Sequence, residues 1–323
     1  MKTSTLRGRL CLTPLAAVAL LAACGGGDDG PRANRLPTGV TTVSVTTYSA
    51  TVPGAGTTAA TQDLLTAGLG RTGLGSGAVP TYADPLNPTA LELRRNAIHA
   101  NYRAILDPTA AGGYGTFYGP NIDVNGENTL GEGLVPGVEY LAVLDDGTGH
   151  KQVVMAVQIP DSFDVDNPCV VLGPSSGSRG VYGSIGSSSE WGLKQGCAVA
   201  LTDSGKGMGL HDLTDDTVNR VDGSRATRTV AGTLSHFAAQ ISDAARAAFN
   251  TAFPNRLALK HVHSQQNPEG GWGSDTLVAA RYALYTLNEQ FADPVEAGST
   301  TKRVRFTPSN TLVIAGSVSN GGA

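Results

Sequence analysis

Five short apolar runs, at residues 138–143, 152–159, 169–172, 197–201 and 311–316, constrain this chain more than any other feature. Each is too short for a stable helix and is punctuated by Gly, Pro, Asp or Asn, so each reads as a strand. Asp145-Asp146-Gly147-Thr148-Gly149 joins the first two, a hairpin signal. The run at 169–172 is continuously apolar, as in a strand buried on both faces. An alternating stretch at 40–45 predicts an edge strand.

Helical patterns fall between these runs. Thr89-Ala90-Leu91-Glu92 is a capping box, and Leu91, Ile98, Tyr102 and Ile105 share a face of the helix it opens, which should stop near Asp107-Pro108. Residues 189–195, 235–249 and 274–291 are also predicted helical, the last with Leu277, Ala280, Leu284, Leu287 and Phe291 in helical register. A hairpin, then strand–helix–strand, then helix–strand implies an α/β fold whose mixed sheet opens antiparallel and continues parallel. This order resembles the start of an α/β-hydrolase. Residues 61–323 are therefore expected to be the N-terminal part of an α/β-hydrolase-like catalytic domain, cut short just past its nucleophile elbow.

A hydrophobic fraction of 40% is enough to build a core, and the 42 Gly and 17 Pro follow no period, which excludes collagen and repeat arrays. A net charge of −4 without any Lys/Arg block argues against nucleic acid as a partner. No CxxC or HExxH spacing occurs, so no metal site is expected.

Lys2, Arg7 and Arg9 precede an apolar stretch at 10–23 that is too short to span a bilayer, as in a signal peptide covering residues 1–23. It ends in Leu21-Ala22-Ala23-Cys24, similar to the lipobox of bacterial lipoproteins, which implies a lipid on Cys24 and membrane attachment through it. Gly25-Gly26-Gly27-Asp28-Asp29-Gly30 begins a Gly/Thr-rich tether over 24–60. The protein is thus expected to be exported, either secreted or held at the outer membrane. Export leaves Cys169 and Cys197 as a pair in an oxidising compartment, bridged or present as two buried thiols. If they begin neighbouring parallel strands, their α-carbons lie within disulfide range.

Two stretches have the form of a nucleophile elbow. Gly173-Pro174-Ser175-Ser176-Gly177 matches G-x-S-x-G, but Pro174 restricts its neighbours and residues 178–184 carry no helical signal. That stretch suits an oxyanion loop better, with Ser176 and Gly177 as backbone donors. Ser317-Val318-Ser319-Asn320-Gly321 follows the fifth run and supplies the small residues a tight strand–helix turn needs. It makes Ser319 the candidate nucleophile and the Asn320 N–H a second oxyanion donor. A rival triad, in the same chain order, is Ser175 with Asp203 or Asp215 and His261.

The strings Leu64-Leu65-Thr66-Ala67-Gly68-Leu69-Gly70, Ser175-Ser176-Gly177-Ser178-Arg179-Gly180-Val181-Tyr182-Gly183, His261-Val262-His263-Ser264-Gln265-Gln266-Asn267-Pro268 and Ser317-Val318-Ser319-Asn320-Gly321-Gly322 resemble the bacterial D-(−)-3-hydroxybutyrate oligomer hydrolases from about residue 40 onward. The resemblance implies an exported serine esterase that cuts oligomers of poly(3-hydroxybutyrate) to monomer without a cofactor. It also implies that Ser319, in the family's S-x-S-N-G-G string, is the charge-relay serine. Family members are longer, and no acid or histidine follows Ser319, so this chain is expected to be an N-terminal fragment with little activity. Two alternatives stand beside this reading. One is another exported carboxylic ester hydrolase, of tannase or feruloyl-esterase type; the other is a non-catalytic envelope lipoprotein.

Of the histidines, His99 is expected on a helix surface and His150 in a hairpin turn, while His211 and His236 flank a polar segment that could be a loop near the site. His261 and His263 could line the cleft. Each is more often structural than catalytic. Arg179 could meet an oligomer's terminal carboxylate or form a structural ion pair.

Overall fold

The computed structural model describes residues 32–51, 57–148, 151–177, 179–207, 209–260 and 267–322. The leader, Cys24, the start of the tether, His150, Ser178, His261 and His263 lie outside them. The strands are β1 (Val40–Tyr48), β2 (Gly137–Leu144), β3 (Val153–Pro160), β4 (Cys169–Pro174), β5 (Ala198–Thr202), β6 (Leu210–Asp212), β7 (Thr217–Asn219), β8 (Arg225–Thr227), β9 (Leu257–Leu259) and β10 (Leu312–Ala315). The helices are α1 (Gly70–Gly75), α2 (Ala90–Ile105), α3 (Glu190–Lys194), α4 (Arg228–Ala231), α5 (Asp243–Ala252) and α6 (Trp272–Phe291).

Among the described residues, six strands form one mixed sheet in the order β1-β2-β3-β5-β4-β10. β1, β2, β3 and β5 pair antiparallel in succession, whereas β4 is parallel to β5 and to β10. The expected hairpin is β2–β3, and the expected edge strand at 40–45 is the first half of β1.

Alternate side chains of the central strands enter separate cores on the two faces, as the two-residue period requires. On one face Met155, Val157, Val170 and Ala200 pack with Ala279, Tyr282, Ala283 and Leu287 of α6. On the other Val154, Ala156, Val171 and Val199 pack with Ile98 and Tyr102 of α2 and with Leu64, Leu65 and Ile185. Two-sided burial is why these strands read as continuous apolar runs. The expected α6 face largely holds: Leu284 and Leu287 are buried and Ala280 and Phe291 pack against the same core, whereas Leu277 is solvent-exposed and Ala279, Tyr282, Ala283 and Thr286 complete the buried face. No described helix is long and apolar enough to cross a membrane.

The capping box forms as read: Thr89 Oγ1 accepts from Glu92 N, and Glu92 Oε2 accepts from Thr89 N. Three expectations fail. The helix expected at 235–249 is α5, starting at Asp243 behind an N-cap at Ser242. The backbone before it is tied elsewhere: His236 N donates to Asn219 O and Ala239 N to His211 Nδ1. The stretch at 178–184, expected without helix, enters a tight turn at Val181–Ser184 that widens over Ile185–Ser189 into α3. The polar segment after His211 is not a loop. It belongs to a small antiparallel sheet, β8-β7-β6-β9, of three-residue strands.

Candidate functional site

Beside the parallel strands, a non-glycine residue takes a positive φ at Ser319. β10 ends at Ala315, and four residues later Ser319 has φ +57°, a left-handed conformation that a serine adopts at some cost. Its side chain is exposed. The bend is anchored at both flanks. Gly316 N donates to Leu172 O of β4 at 3.0 Å, and Gly316 O accepts from Ser188 Oγ at 3.0 Å. Ser317 Oγ donates to Pro174 O at 2.8 Å, an oxygen that also accepts from Ser184 Oγ at 2.6 Å. Beyond the serine, Gly321 is buried against the same segment. A β-carbon there would stand 2.6 Å from Ser175 O and 2.8 Å from Pro174 O. The Ser319 bend and the turn after β4 therefore touch.

Ser176 and Gly177, the expected donors, lie in that turn. Gly177 has φ +82°, and its N–H already donates to Ser175 O at 2.9 Å. Ser176 Oγ is buried without a hydrogen-bond partner. Asn320 is exposed beside Ser319.

Ser175, the rival nucleophile, is fully buried; its N–H donates to Thr202 O and its hydroxyl to Gly177 O at 3.2 Å. Asp203 is also fully buried, accepting from Val154 N at 3.1 Å and Gly205 N at 2.7 Å, and its Oδ2 lies 3.3 Å from His236 Nε2. Asp215 lies on the surface, bonded to Thr217. His261 is outside the described residues, and the structure does not gather the other members of the rival triad around one hydroxyl.

Two further histidines, His211 and His99, are held by bonds within the fold. His211 is buried between Asp216 Oδ1, 2.9 Å from Nε2, and the Ala239 N–H at Nδ1. His99 is not on the surface as expected. It is buried with Nε2 3.1 Å from Ser76 O, and burial holds its pKa below the ordinary histidine value.

Cys169 and Cys197 form a disulfide with α-carbons 4.8 Å apart. Cys169 opens β4 and Cys197 immediately precedes β5, so the bridge ties the strand ends opposite the Ser319 bend.

A cavity of about 230 Å³ lies between the sheet face of β1–β3 and α2. Leu91, Ala97, Leu141, Val154 and Val181 make its apolar walls, and Arg179, Asn219, Arg220, Asp222 and His236 contribute polar groups. Arg94 and Glu139 also line it, in a bidentate pair with both contacts at 2.9 Å. Burial opposes both charges, yet their mutual attraction wins. With hydrogen bonds from Arg94, Gln158 and Tyr182, it holds Glu139 below the usual carboxylate range and Arg94 above its own. Burial, opposed in part by Arg94, pushes the Tyr48 hydroxyl up to about 12. Sequence reading missed Arg220 and the Asp203–His236 pair, because no local motif links residues joined only by tertiary packing. Among the described residues, no three His, Cys, Asp or Glu side chains converge as a metal site would need.

Residues 20–323 match the model of the 3HB-oligomer hydrolase family. A D-(−)-3-hydroxybutyrate oligomer hydrolase of a Polaromonas species is 54% identical over 99% of this chain and 44% of its own length. Those of Polaromonas naphthalenivorans and Albidiferax ferrireducens are 53% and 52% identical, over 98% and 99% of this chain and 43% and 44% of their lengths. The chain thus spans less than half the length of these curated relatives. No solved structure matches it. By family model and by identity over nearly its whole length, the chain belongs to the 3HB-oligomer hydrolase family.

Proposed function

We propose that this chain is the nucleophile-bearing part of an exported serine esterase that hydrolyses 3-hydroxybutyrate oligomers, and that the activity belongs to a polypeptide of the relatives' length. The observation that carries this reading is the exposed Ser319 at φ +57°, on a bend clasped to the turn after β4. Strain held in place by packing is the mark of a functional turn. The strand order supports an α/β-hydrolase fold. Behind an additional β1, the strands run as antiparallel β2 and β3 followed by the β5-β4-β10 crossover, with the serine just past the last.

In the proposed mechanism, Ser319 Oγ attacks the ester carbonyl carbon while a histidine takes its proton. The carbonyl oxygen gains the negative charge and is held by the N–H groups of Asn320 and Ser176. Gly177 is the poorer donor in this conformation because Ser175 O occupies its N–H. Collapse of the adduct expels the next unit as its hydroxyl, which takes the proton from the histidine. Water then cleaves the acyl-enzyme and releases 3-hydroxybutyrate. The relaying histidine and acid are assigned to the part of the longer polypeptide beyond this segment. Partial exposure of Leu312 and Val313 on β10, at one edge of the sheet, supports further coverage there. The Cys24 lipobox and the disulfide support export and lipid attachment.

Labelling the full-length polypeptide with a fluorophosphonate and mapping the modified peptide tests the assignment. Label on Ser319, with dimer and trimer hydrolysis lost in Ser319→Ala and kept in Ser175→Ala, is expected. Label on Ser175, or full turnover by Ser319→Ala, would overturn it. Faster cleavage of aromatic esters than of hydroxybutyrate dimer would move the substrate to the tannase type.

A further inference from the structure

We propose that Arg179 and Arg220 form a carboxylate-binding subsite in the cavity beside α2, and that it holds the free acid end of a short hydroxyalkanoate oligomer. The identity of the ligand rests on the ester-hydrolase reading above; the anion site itself rests on the cavity.

Both arginines line the cavity, and neither side chain has a hydrogen-bond or ion-pair partner among the described residues. Arg220 Nε is buried with none. Of the other groups facing the space, Arg94 and Glu139 pair with each other, His236 Nε2 lies 3.3 Å from Asp203, and Asp222 accepts from Ser224 N and Oγ through Oδ1. Two guanidinium groups against the one cavity carboxylate not paired with a cation, beside apolar walls, leave a net positive site, the complement of a carboxylate carried on a short methyl-bearing chain. Guanidinium binds carboxylate through paired N–H donors, which gives direction as well as charge. The cavity, at about 230 Å³, is small among ligand pockets, which favours a short oligomer over a polymer chain.

The subsite is mechanically joined to the serine bend. Arg179 packs beside Gly183, where an added β-carbon would lie 3.0 Å from Arg179 Cβ and 2.3 Å from Ser175 Oγ. Ser175 in turn belongs to the turn against which Gly321 is seated. Anchoring the acid end at Arg179 would present an ester of the same oligomer from a fixed starting point, so chain ends would be read before chain interiors.

The test measures binding of 3-hydroxybutyrate dimer, as free acid and as methyl ester, by calorimetry. It uses the full-length polypeptide in a Ser319→Ala background, where no turnover interferes. The free acid is expected to bind roughly tenfold or more tightly than the methyl ester, the loss typical of one charge-assisted contact. Arg179→Gln and Arg220→Gln should each remove that preference without changing the thermal midpoint, and Arg179→Lys should restore part of it. Equal binding of acid and ester, or an acid preference that survives both substitutions, would overturn the subsite. Fluorophosphonate labelling of the arginine variants, with Ser319 restored, keeps the two readings separate. In the variants, intact Ser319 labelling with the acid preference gone is expected. In the parent, Ser319 labelling with equal binding of acid and ester removes the subsite alone, whereas acid preference without Ser319 labelling removes the nucleophile alone.

Discussion

A β-carbon on Gly321 would stand 2.6 Å from the carbonyl oxygen of Ser175, closer than real β-carbons come to a backbone atom. It would also meet Pro174 O at 2.8 Å, so the bend has no room to relax toward the sheet. Gly321→Ala should push Ser319 outward. A displacement of about 1 Å costs roughly 100-fold in rate, and fluorophosphonate labelling of the full-length polypeptide should slow by about that factor. Gly322 has nothing within 4 Å of such a carbon, so Gly322→Ala is the control and should label at the original rate.

Arg94 and Glu139 are both nearly inaccessible, at 6% and 4% exposure. Removing one member leaves the other charged and unpaired in the interior. Arg94→Met or Glu139→Gln alone should therefore cost about 3–5 kcal/mol. The double replacement Arg94→Met with Glu139→Leu should recover most of that loss. Urea midpoints of the four proteins give the comparison, and equal single and double losses would show that the pair is not coupled.

The same pair sets an acid limit. Arg94 and its neighbours hold Glu139 below the ordinary carboxylate range in the folded protein, so the unfolded chain binds this proton more readily. Its contribution to stability is complete above the unfolded-chain value of about 4.3. It disappears as pH falls through that value toward the lower folded one. Thermal midpoints recorded from pH 7 to 3 should fall more steeply below about pH 4 in the parent than in the double replacement.

The Cys169–Cys197 bridge closes a loop with a sequence separation of 28. In the chain-entropy account such a loop is worth about 3–4 kcal/mol. The paired replacement of both cysteines by Ala should lower the urea midpoint accordingly. Because the bridge lies at the strand ends away from Ser319, fluorophosphonate labelling at low temperature should stay within about twofold of the parent, well under the tenfold that 1.4 kcal/mol represents.

How much of this was legible in the chain depended on the length of the signal. β2, β3 and β5 are runs buried on both faces, so their apolar character survives without context. Thr89 and Glu92 cap each other locally, which is why that helix start could be read directly. Ser319 stood out because Ser317 and Gly321 are small at the two places where the bend meets β4 and its exit turn. By contrast β6 to β9 have three residues each, too few for any periodicity to show. On α6 Leu277 alone was misread, because the small residues Ala279 and Ala283 with Tyr282 fit against the sheet beside Leu284 and Leu287. Arg94 and Glu139 are 45 positions apart, and only the packed fold shows that two charged residues face each other indoors.

β10 pairs with β4 on one side, while at the rim of the sheet Leu312 is 62% exposed and Val313 40%. Unpaired strand rims of this kind recruit other chains by adding to the ladder. Preparations of the segment by itself should accordingly show concentration-dependent light scattering, and a Lys in place of Val313 should suppress it. A soluble yield of the segment that improves with Val313→Lys would identify this rim as the sticky one.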